Sequence, residues 1–345
     1  TSNEMHMPIN REELLRNVIW IQPGIATREF LEQSSCVVLK NGEMISFNDE
    51  ISCRLKSGLN PKITGVIPHK PLLNILQKIP DETVDVIQED GELIISVGTQ
   101  KLTGIRLDKN VFLPYDEVVD KPTQWKKLPS EFCDAVSLVV KCAATDEGKG
   151  ELTCVHVHPK KLEATDYQKA CRYHITLPLS QPVLVRGESL KHVSSFGATE
   201  ICETEHWLHF RGSGVVHSYR KYAQKFKDID KYFTVEKGQK FVFPKGLEKT
   251  VENAEVFSSE SADENMVEVV LRPNKVTIKG TGVQGWHRET KDSGYNGPVV
   301  SFKIPPELLK TILTEYNECL VGEAKLLAKG ENWTYVAGLQ KGGKE

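Results

Sequence analysis

Apolar residues along this chain switch repeatedly between two periods. Over 69–79, Leu72, Leu73, Ile75, Leu76 and Ile79 fall on one stripe, with Lys70, Asn74, Gln77 and Lys78 opposite. A period near 3.6 residues with a polar far side predicts an amphipathic helix. The next segment, TVDVIQEDGELIISV, changes to alternation, the period of a half-buried strand. Its Asp90-Gly91 pair tolerates the positive φ angles of a two-residue turn and predicts a hairpin.

That unit recurs. It begins at Val66-Ile67-Pro68, again at Val183-Leu184-Val185 before RGESLKHVSSFGA and TEICETEHWLHFRG, and again at Ser301-Phe302-Lys303-Ile304 before PPELLKTILTEYN and VGEAKLLAKGENWTYVAGL. The helix starts near Pro68, Gly187 and Pro305 lie about 118 residues apart. A second helical pattern precedes each copy: NREELLRNVIWI after Ile9, PSEFCDAVSLVVKCA after Leu128, and PKGLEKTVENAEVF after Phe243. Short alternating strands follow each of these, in SCVVLKNGEMISF, ELTCVHVHPKKLEAT and MVEVVLRPNKVTIKG. The repetition predicts an α+β fold of three tandem domains over 8–118, 124–235 and 240–340, linked at 116–127 and 230–240. Each domain has two helices packed on antiparallel sheets. On the repeat alone, a linear array of binding modules stays open.

Helix faces locate the charge. Over 129–142, Phe132, Val136, Val139 and Val140 face inward and Asp134, Ser137 and Lys141 outward. Over 244–257, Leu247, Val251 and Ala254 face in, with Lys245, Lys249 and Glu252 out. The helix at 305–316 buries Leu308, Leu309, Ile312 and Leu313 and turns Lys310 out; Arg16 and Lys191 hold outward positions in the remaining two helices. All six helices thus show a cation to solvent, yet they also carry Glu12, Glu13, Asp134, Glu188, Glu248 and Glu252. The net charge is only -3, so a nucleic-acid partner would have to meet a local basic face.

At 345 residues the chain is too long for one ordinary core. Its eight cysteines are scattered, with no CxxC pair, and read as reduced, mostly buried thiols of an intracellular protein. No apolar run approaches ~18 residues, and the N-terminus lacks a signal-peptide pattern. The expectation is a cytoplasmic protein with no membrane partner, an unstructured leader at 1–7 and a solvated tail at 341–345.

Four short motifs bear on chemistry. Gly280-Thr281-Gly282-Val283-Gln284-Gly285 matches GxGxxG, but polar, turn-rich WHRETKDSGYNG follows where a dinucleotide site needs a helix. His156 and His158 share one face of a strand, a spacing that metals use, without a clear third ligand. His206 and His209 point to opposite faces. Asn332-Trp333-Thr334 matches a glycosylation acceptor but falls in an expected buried strand.

The repeat, the helix order and several longer segments resemble one family, the bacterial-type DNA sliding clamp, which is the β subunit of the replicative DNA polymerase. The segments are IPHKPLLNILQKIPDETVDVIQEDGELIISVGTQKL, LEATDYQKACRYHITLP, WLHFRGSGVVHSYRKYAQKFKDIDKYF, FKIPPELLKTILTEYNECLV and WTYVAGL. The resemblance spans roughly 8–340 and looks like that of a divergent or bacteriophage member. It implies a head-to-tail homodimeric ring whose helices line a bore. It implies a non-enzymatic processivity factor that encircles double-stranded DNA without sequence preference, with no cofactor and no metal. Arg16, Lys70, Lys78, Lys141, Lys191, Lys245, Lys249 and Lys310 would then make dispersed phosphate contacts. Leu102 and Ile105 of one chain would meet Val256 and Phe257 of the other. Polymerase and clamp loader would dock by short peptide motifs in a pocket matched here by Thr165, Tyr167, Gln168, Lys169, Lys227, Val336, Gly338 and Leu339. The family often has Gly where Tyr167 stands and Pro where Lys227 stands, so the peptide preference is expected to differ. Two other readings stay open. One is a clamp-fold adaptor or decoy that binds partner peptides without being loaded on DNA. The other is a nucleotide- or metal-dependent hydrolase using the glycine loop or the His pair.

Overall fold

The computed structural model describes residues 8–259, 265–315 and 318–341. The expected leader at 1–7 and positions 342–345 of the expected tail lie outside the described residues.

One series of elements is made three times: a short strand, a helix, four strands, a helix and three strands. The first pass runs Ile9–Asn10, Arg11–Trp20, Cys36–Lys40, Glu43–Phe47, Ile51–Lys56, Gly65–Pro68, His69–Lys78, Thr83–Glu89, Glu92–Val97 and Lys101–Arg106. The second runs Lys126–Lys127, Phe132–Val139, Cys154–His158, Lys161–Thr165, Lys169–His174, Val183–Arg186, Gly187–Leu190, Glu200–Glu203, Trp207–Gly212 and Val215–Tyr222. The third runs Gln239–Val242, Glu248–Ser258, Val267–Arg272, Lys275–Thr281, Trp286–Asp292, Val300–Ile304, Pro306–Glu315, Glu318–Val321, Lys325–Lys329 and Trp333–Gly338. In each pass the strand before the second helix returns to the first of the preceding three, pairing Pro68 with Cys36, Arg186 with Cys154 and Ile304 with Val267. The opening strand pairs with the strand after the second helix, as in Ile9–Val84, Lys127–Glu200 and Phe241–Cys319.

Local chemistry explains most boundaries. Asn10 caps the first helix by accepting the Glu13 amide at 2.9 Å. Asp90 (φ 49°) and Gly91 (φ 80°) make the expected tight turn between Glu89 and Glu92. Some expectations change. The helix expected from 244 starts at Glu248, because Gly246 at φ 81° breaks the approach, and Lys245 sits in the turn before it. The helix expected over 129–142 is α-helical only at Phe132–Val139 and tightens to 3-10 geometry at Val140–Cys142. The helix opening at Gly187 keeps one turn and continues as a 3-10 segment, Lys191–Ser194, before Gly197 at φ 62°. The segment read as turn-rich is the strand Trp286–Asp292, whose charged residues face water along a sheet edge.

By contact density the chain divides into two compact units, Thr1–Cys133 with Ser189–Tyr222, and Asp134–Glu188 with Ala223–Glu345. Each unit contains one strand pairing between successive passes. In the first, Val215–Tyr222 lies antiparallel to Ile51–Lys56; in the second, Trp333–Gly338 lies antiparallel to Lys169–His174. Val38, Ile45, Phe47, Val66, Leu113, Tyr115 and Trp207 form the core beside the first pairing. Burying such side chains contributes about 1.5–3 kcal/mol each. In the second unit, Glu248–Ser258 lies so close to Lys275–Thr281 that a Cβ on Gly280 would come 1.8 Å from the Ala254 carbonyl oxygen. The first glycine of the GxGxxG match is therefore a packing residue. Gly282 and Gly285 close the hairpin that follows, with a 2.8 Å hydrogen bond from the Gly282 amide.

Two histidines are built into the first unit as neutral rings. His217 donates from Nε2 to the Trp20 carbonyl at 2.8 Å and accepts from the Tyr219 hydroxyl at 2.9 Å. His209 lies between the Thr204 and Ser218 hydroxyls at 2.8 and 2.6 Å. Burial lowers their pKa values from 6.5, to about 4 for His209 and about 3 for His217. The unfolded chain takes up protons below 6.5 that these rings refuse in the fold, so stability is full above that pH and falls below it. His209 alone would account for about 2 kcal/mol by pH 5. His209→Gln is expected to flatten the fall in thermal midpoint between pH 7 and 5; a slope identical to that of the parent chain rejects the assignment.

Candidate functional site

The sequence-selected cations divide by environment. Arg16 is exposed, with its guanidinium 5.1 Å above the Trp20 ring. Lys70 and Lys78 are exposed on His69–Lys78, opposite buried Leu72 and Leu76. That helix packs on Arg11–Trp20, and His69, missed in the sequence, is buried between them, donating to the Val18 carbonyl at 3.1 Å. Lys191 and Lys245 are exposed, although neither lies in an α-helix. Lys141 and Lys310 depart from the outward positions expected. Both are half-buried and bridge to carboxylates, Lys141 to Glu307 at 2.5 Å and Lys310 to Glu255 at 2.9 Å. Lys249 is exposed and reaches Glu252 one turn along its own helix at 3.1 Å. Such exposed pairs contribute about 0–1 kcal/mol, so a phosphate competes readily for Lys249.

Two sheets end in open strands. Lys101–Arg106 is outermost in the sheet with Glu92–Val97, and Trp286–Asp292 is outermost in the sheet with Lys275–Thr281. Leu102 is 68 % exposed, but Ile105, expected beside it at a subunit contact, is 5 % exposed and turned inward opposite Leu93. Strand alternation separates the two, since residues three apart point to opposite faces. Val256 is exposed, whereas Phe257 is half-buried along Gly285, where a Cβ would come 3.0 Å from its ring. Sequence reasoning missed two apolar residues at this end, Val283 and Trp286, which are 90 % and 61 % exposed. Open apolar groups beside an unpaired edge mark an association surface.

The pocket residues come together within the second unit. Asp166 Oδ1 accepts the amides of Gln168 and Lys169, both at 2.9 Å, and its Oδ2 takes the Lys169 ammonium at 2.5 Å. Thr165 is buried; its hydroxyl donates to the Lys169 carbonyl at 2.8 Å and accepts the Tyr167 amide at 3.0 Å. These bonds hold Tyr167 at φ 72° with its ring half exposed. The Gly338 amide donates to the Gln168 carbonyl at 2.8 Å, and the Leu339 amide to Ala324 at 2.8 Å. Val336 is buried opposite Ala170. Lys227 lies over Tyr167, its ammonium 5.7 Å from the ring centre, and the hydrogen bond to Tyr167 raises its pKa.

An ion network runs from the buried Glu163 to the exposed Asp230. Arg172 bonds to Glu163 at 2.7 Å and Asp230 at 2.6 Å, and its guanidinium lies 4.5 Å over the Phe233 ring. Burial alone would raise the Glu163 pKa, but the His156 hydrogen bond and the Arg172 and Lys161 charges hold it below the usual value. His156 meets Glu163 at 2.9 Å and stacks on Phe226 at 4.7 Å, while His158 accepts the Lys160 amide at 3.0 Å. The His pair thus serves the sheet and the segment leading to Lys227. Among the described residues, no group of three or more His, Cys, Asp or Glu is placed to hold a metal ion. No helix among them is long and apolar enough to cross a membrane. Asn332, expected in a buried strand, is exposed in the turn before Trp333–Gly338.

No family model matches the chain, and no curated protein matches it. Solved structures do. The DNA polymerase III beta chain of Streptococcus pneumoniae aligns over 97 % of this chain and 99 % of its own, with a TM-score of 0.71 at 17 % identity. The beta subunit of Thermotoga maritima aligns over the same shares with a TM-score of 0.71 at 15 % identity. The DNA polymerase sliding clamp of Bacillus subtilis, again over 97 % and 99 %, gives a TM-score of 0.68 at 16 % identity. The chain therefore has the α+β fold of the bacterial DNA polymerase III β sliding clamps.

Proposed function

We propose that this protein is a sliding clamp: a non-enzymatic, cytoplasmic, head-to-tail homodimeric ring that encircles duplex DNA and tethers a polymerase and a clamp loader through short peptides. One observation carries this reading. The last strand of a pass pairs with the third strand of the pass before it, at Tyr219–Ile51 and again at Ala337–Lys169. Continuing the rule leaves the last strand of the first pass, Lys101–Arg106, and the third strand of the last pass, Trp286–Asp292. Both are sheet edges. A second copy supplies the missing partner for each, and the symmetry of two chains repeats the joint at both ends. The domains are then the three passes, over 8–118, 124–235 and 240–340.

Dispersed cations suit such a device. Arg16, Lys70, Lys78, Lys191, Lys245 and Lys249 are exposed, enough for non-specific phosphate contacts that need not be tight once linkage is topological. The pairing of Lys141 and Lys310 with carboxylates supports a second reading, an adaptor that binds peptides without being loaded.

Two measurements test this. Leu102→Arg with Trp286→Arg is expected to convert a dimer into a monomer in analytical ultracentrifugation. A parent chain that is monomeric at every concentration, or a variant that stays dimeric, defeats the proposed contact. Loaded by a bacterial clamp loader and ATP, the protein should stay on nicked circular DNA and leave when the circle is cut. Replacing Lys70, Lys78, Lys245 and Lys249 by Glu should reduce retention roughly tenfold at moderate salt. Retention indifferent to cutting means affinity binding; no retention, with peptide binding intact, selects the adaptor.

A further inference from the structure

The joint that carries the peptide groove is built twice in this chain, once in each compact unit. Strand register superimposes the copies: Tyr219 faces Ile51 as Ala337 faces Lys169, so Arg220 is the counterpart of Gly338, and Asp49 that of Tyr167. The main-chain frames agree, although the Thr165 hydroxyl bonds have no counterpart at Phe47. Asn48 Oδ1 accepts the Glu50 and Ile51 amides at 3.1 and 2.8 Å, as Asp166 accepts those of Gln168 and Lys169. Asp49 has φ 74° where Tyr167 has 72°. The Arg220 amide donates to the Glu50 carbonyl at 3.0 Å, as that of Gly338 does to Gln168. Arg54 binds Asp116 at 3.1 Å, as Arg172 binds Asp230. Trp207 and Lys325, also counterparts, donate to the carbonyls of Val118 and Tyr232 at 3.0 and 3.1 Å.

Several side chains differ between the copies, and the one at the Arg220 and Gly338 position separates them most. At Gly338 there is none, and a Cβ there would meet only the Gln168 carbonyl oxygen, at 3.4 Å. At the other joint Arg220 crosses the same ground. Its Nε donates to the Asp49 carbonyl at 2.6 Å, its Nη2 to Asp49 Oδ1 at 2.7 Å, and its guanidinium lies 4.6 Å over the Trp207 ring.

We infer that the first joint is a second peptide groove of the same construction, held shut by the Arg220–Asp49 clasp, and that Arg220 limits each chain to one bound peptide. Arg220 fills the groove as a ligand's side chain would. The walls give the class of peptide that would replace it. Asp49 and Glu50 stand where the open groove has Tyr167 and Gln168, so the shut groove selects an extended peptide bearing arginine or lysine. This inference rests on the reading of the open groove as a peptide site.

Panning a random phage-displayed nonapeptide library on the full-length parent, Arg220→Gly and Gly338→Arg proteins, then titrating the selected peptides by calorimetry, tests it. The parent should bind one peptide per chain, Arg220→Gly two, and Gly338→Arg should lose the original site at least tenfold. Peptides gained by Arg220→Gly should be cationic, and Asp49→Asn with Glu50→Gln in that background should weaken them at least tenfold. If Arg220→Gly misfolds by circular dichroism, Asp49→Gly opens the clasp from the other side at a position whose φ favours glycine. A folded variant of either kind that gains no second site overturns the inference while leaving the open groove standing. A parent that binds nothing defeats the open-groove reading instead. In that case binding gained by a clasp variant still upholds the shut groove, and its absence overturns both.

Discussion

A sheet edge is a row of unpaired amide and carbonyl groups, and leaving it open invites uncontrolled pairing. Much in this molecule follows from how its edges are satisfied. Each pass makes two small sheets that are too narrow to protect themselves, and the last strand of one pass completes the sheet of another. This explains why the compact units do not coincide with the sequence repeats. Contact density follows the joints, where Val215–Tyr222 and Trp333–Gly338 bind their partners, and each joint draws half of the middle pass into its own unit. Among the edge strands, Lys101–Arg106 and Trp286–Asp292 lack the joint that their counterparts make. Trp286–Asp292 alternates charges that discourage random pairing, beside the exposed apolar side chains of Trp286 and Val283.

Electrostatics is secondary and local. The Glu163–Arg172–Asp230 network is the strongest case, because Glu163 is 2 % exposed and its charge survives only through its partners. Removing Arg172 would leave the buried Glu163 carboxylate short of a partner, at a cost of about 3–5 kcal/mol, whereas Asp230 is exposed. Through His156, which bonds to Glu163 and stacks on Phe226, the network also ties the segment before Lys227 to the sheet. The helix-face lysines are different. Paired with Glu252, Glu255 and Glu307 across little depth, they hold geometry weakly.

The repeat, the helix stripes and the hairpin at Asp90-Gly91 were legible in the sequence because they are set by residues close together along the chain. What was not legible depends on distant partners. Lys141 and Glu307 belong to different passes, so an outward helical position could not reveal that the ammonium is spoken for. Ile105 shares a strand with Leu102, but only the identity of the covered face decides which of them meets solvent. Trp286–Asp292 read as a loop because an edge strand solvated on one face has the composition of a loop. Gly246 left a signal that could have placed the helix start correctly, since a glycine after Pro244-Lys245 suits a positive-φ turn better than a first helical turn. Of the groove, the sequence offered the residues but not the bonds. The Thr165 and Asp166 bonds lie within 165–169, and only the Gly338 amide bond to Gln168 needs Trp333–Gly338 to meet Lys169–His174.

Repetition with divergence also explains how a symmetric plan yields asymmetric surfaces. The backbone at each joint is constrained by the same ladder, the same Asx turn and the same arginine-to-aspartate tie, so substitution there is limited to side chains that leave those bonds intact. Side chains projecting from the frame are under no such constraint. At one frame position the chain has glycine and at its counterpart an arginine that bonds to Asp49, where the other copy has Tyr167. The middle helix over Gly187–Leu190 has lost most of its length by the same freedom, since its ends are held by strands that still pair as in the other passes. The fold is therefore far more resistant to change than any one site upon it. Function has to be argued joint by joint, from the side chains each copy has kept.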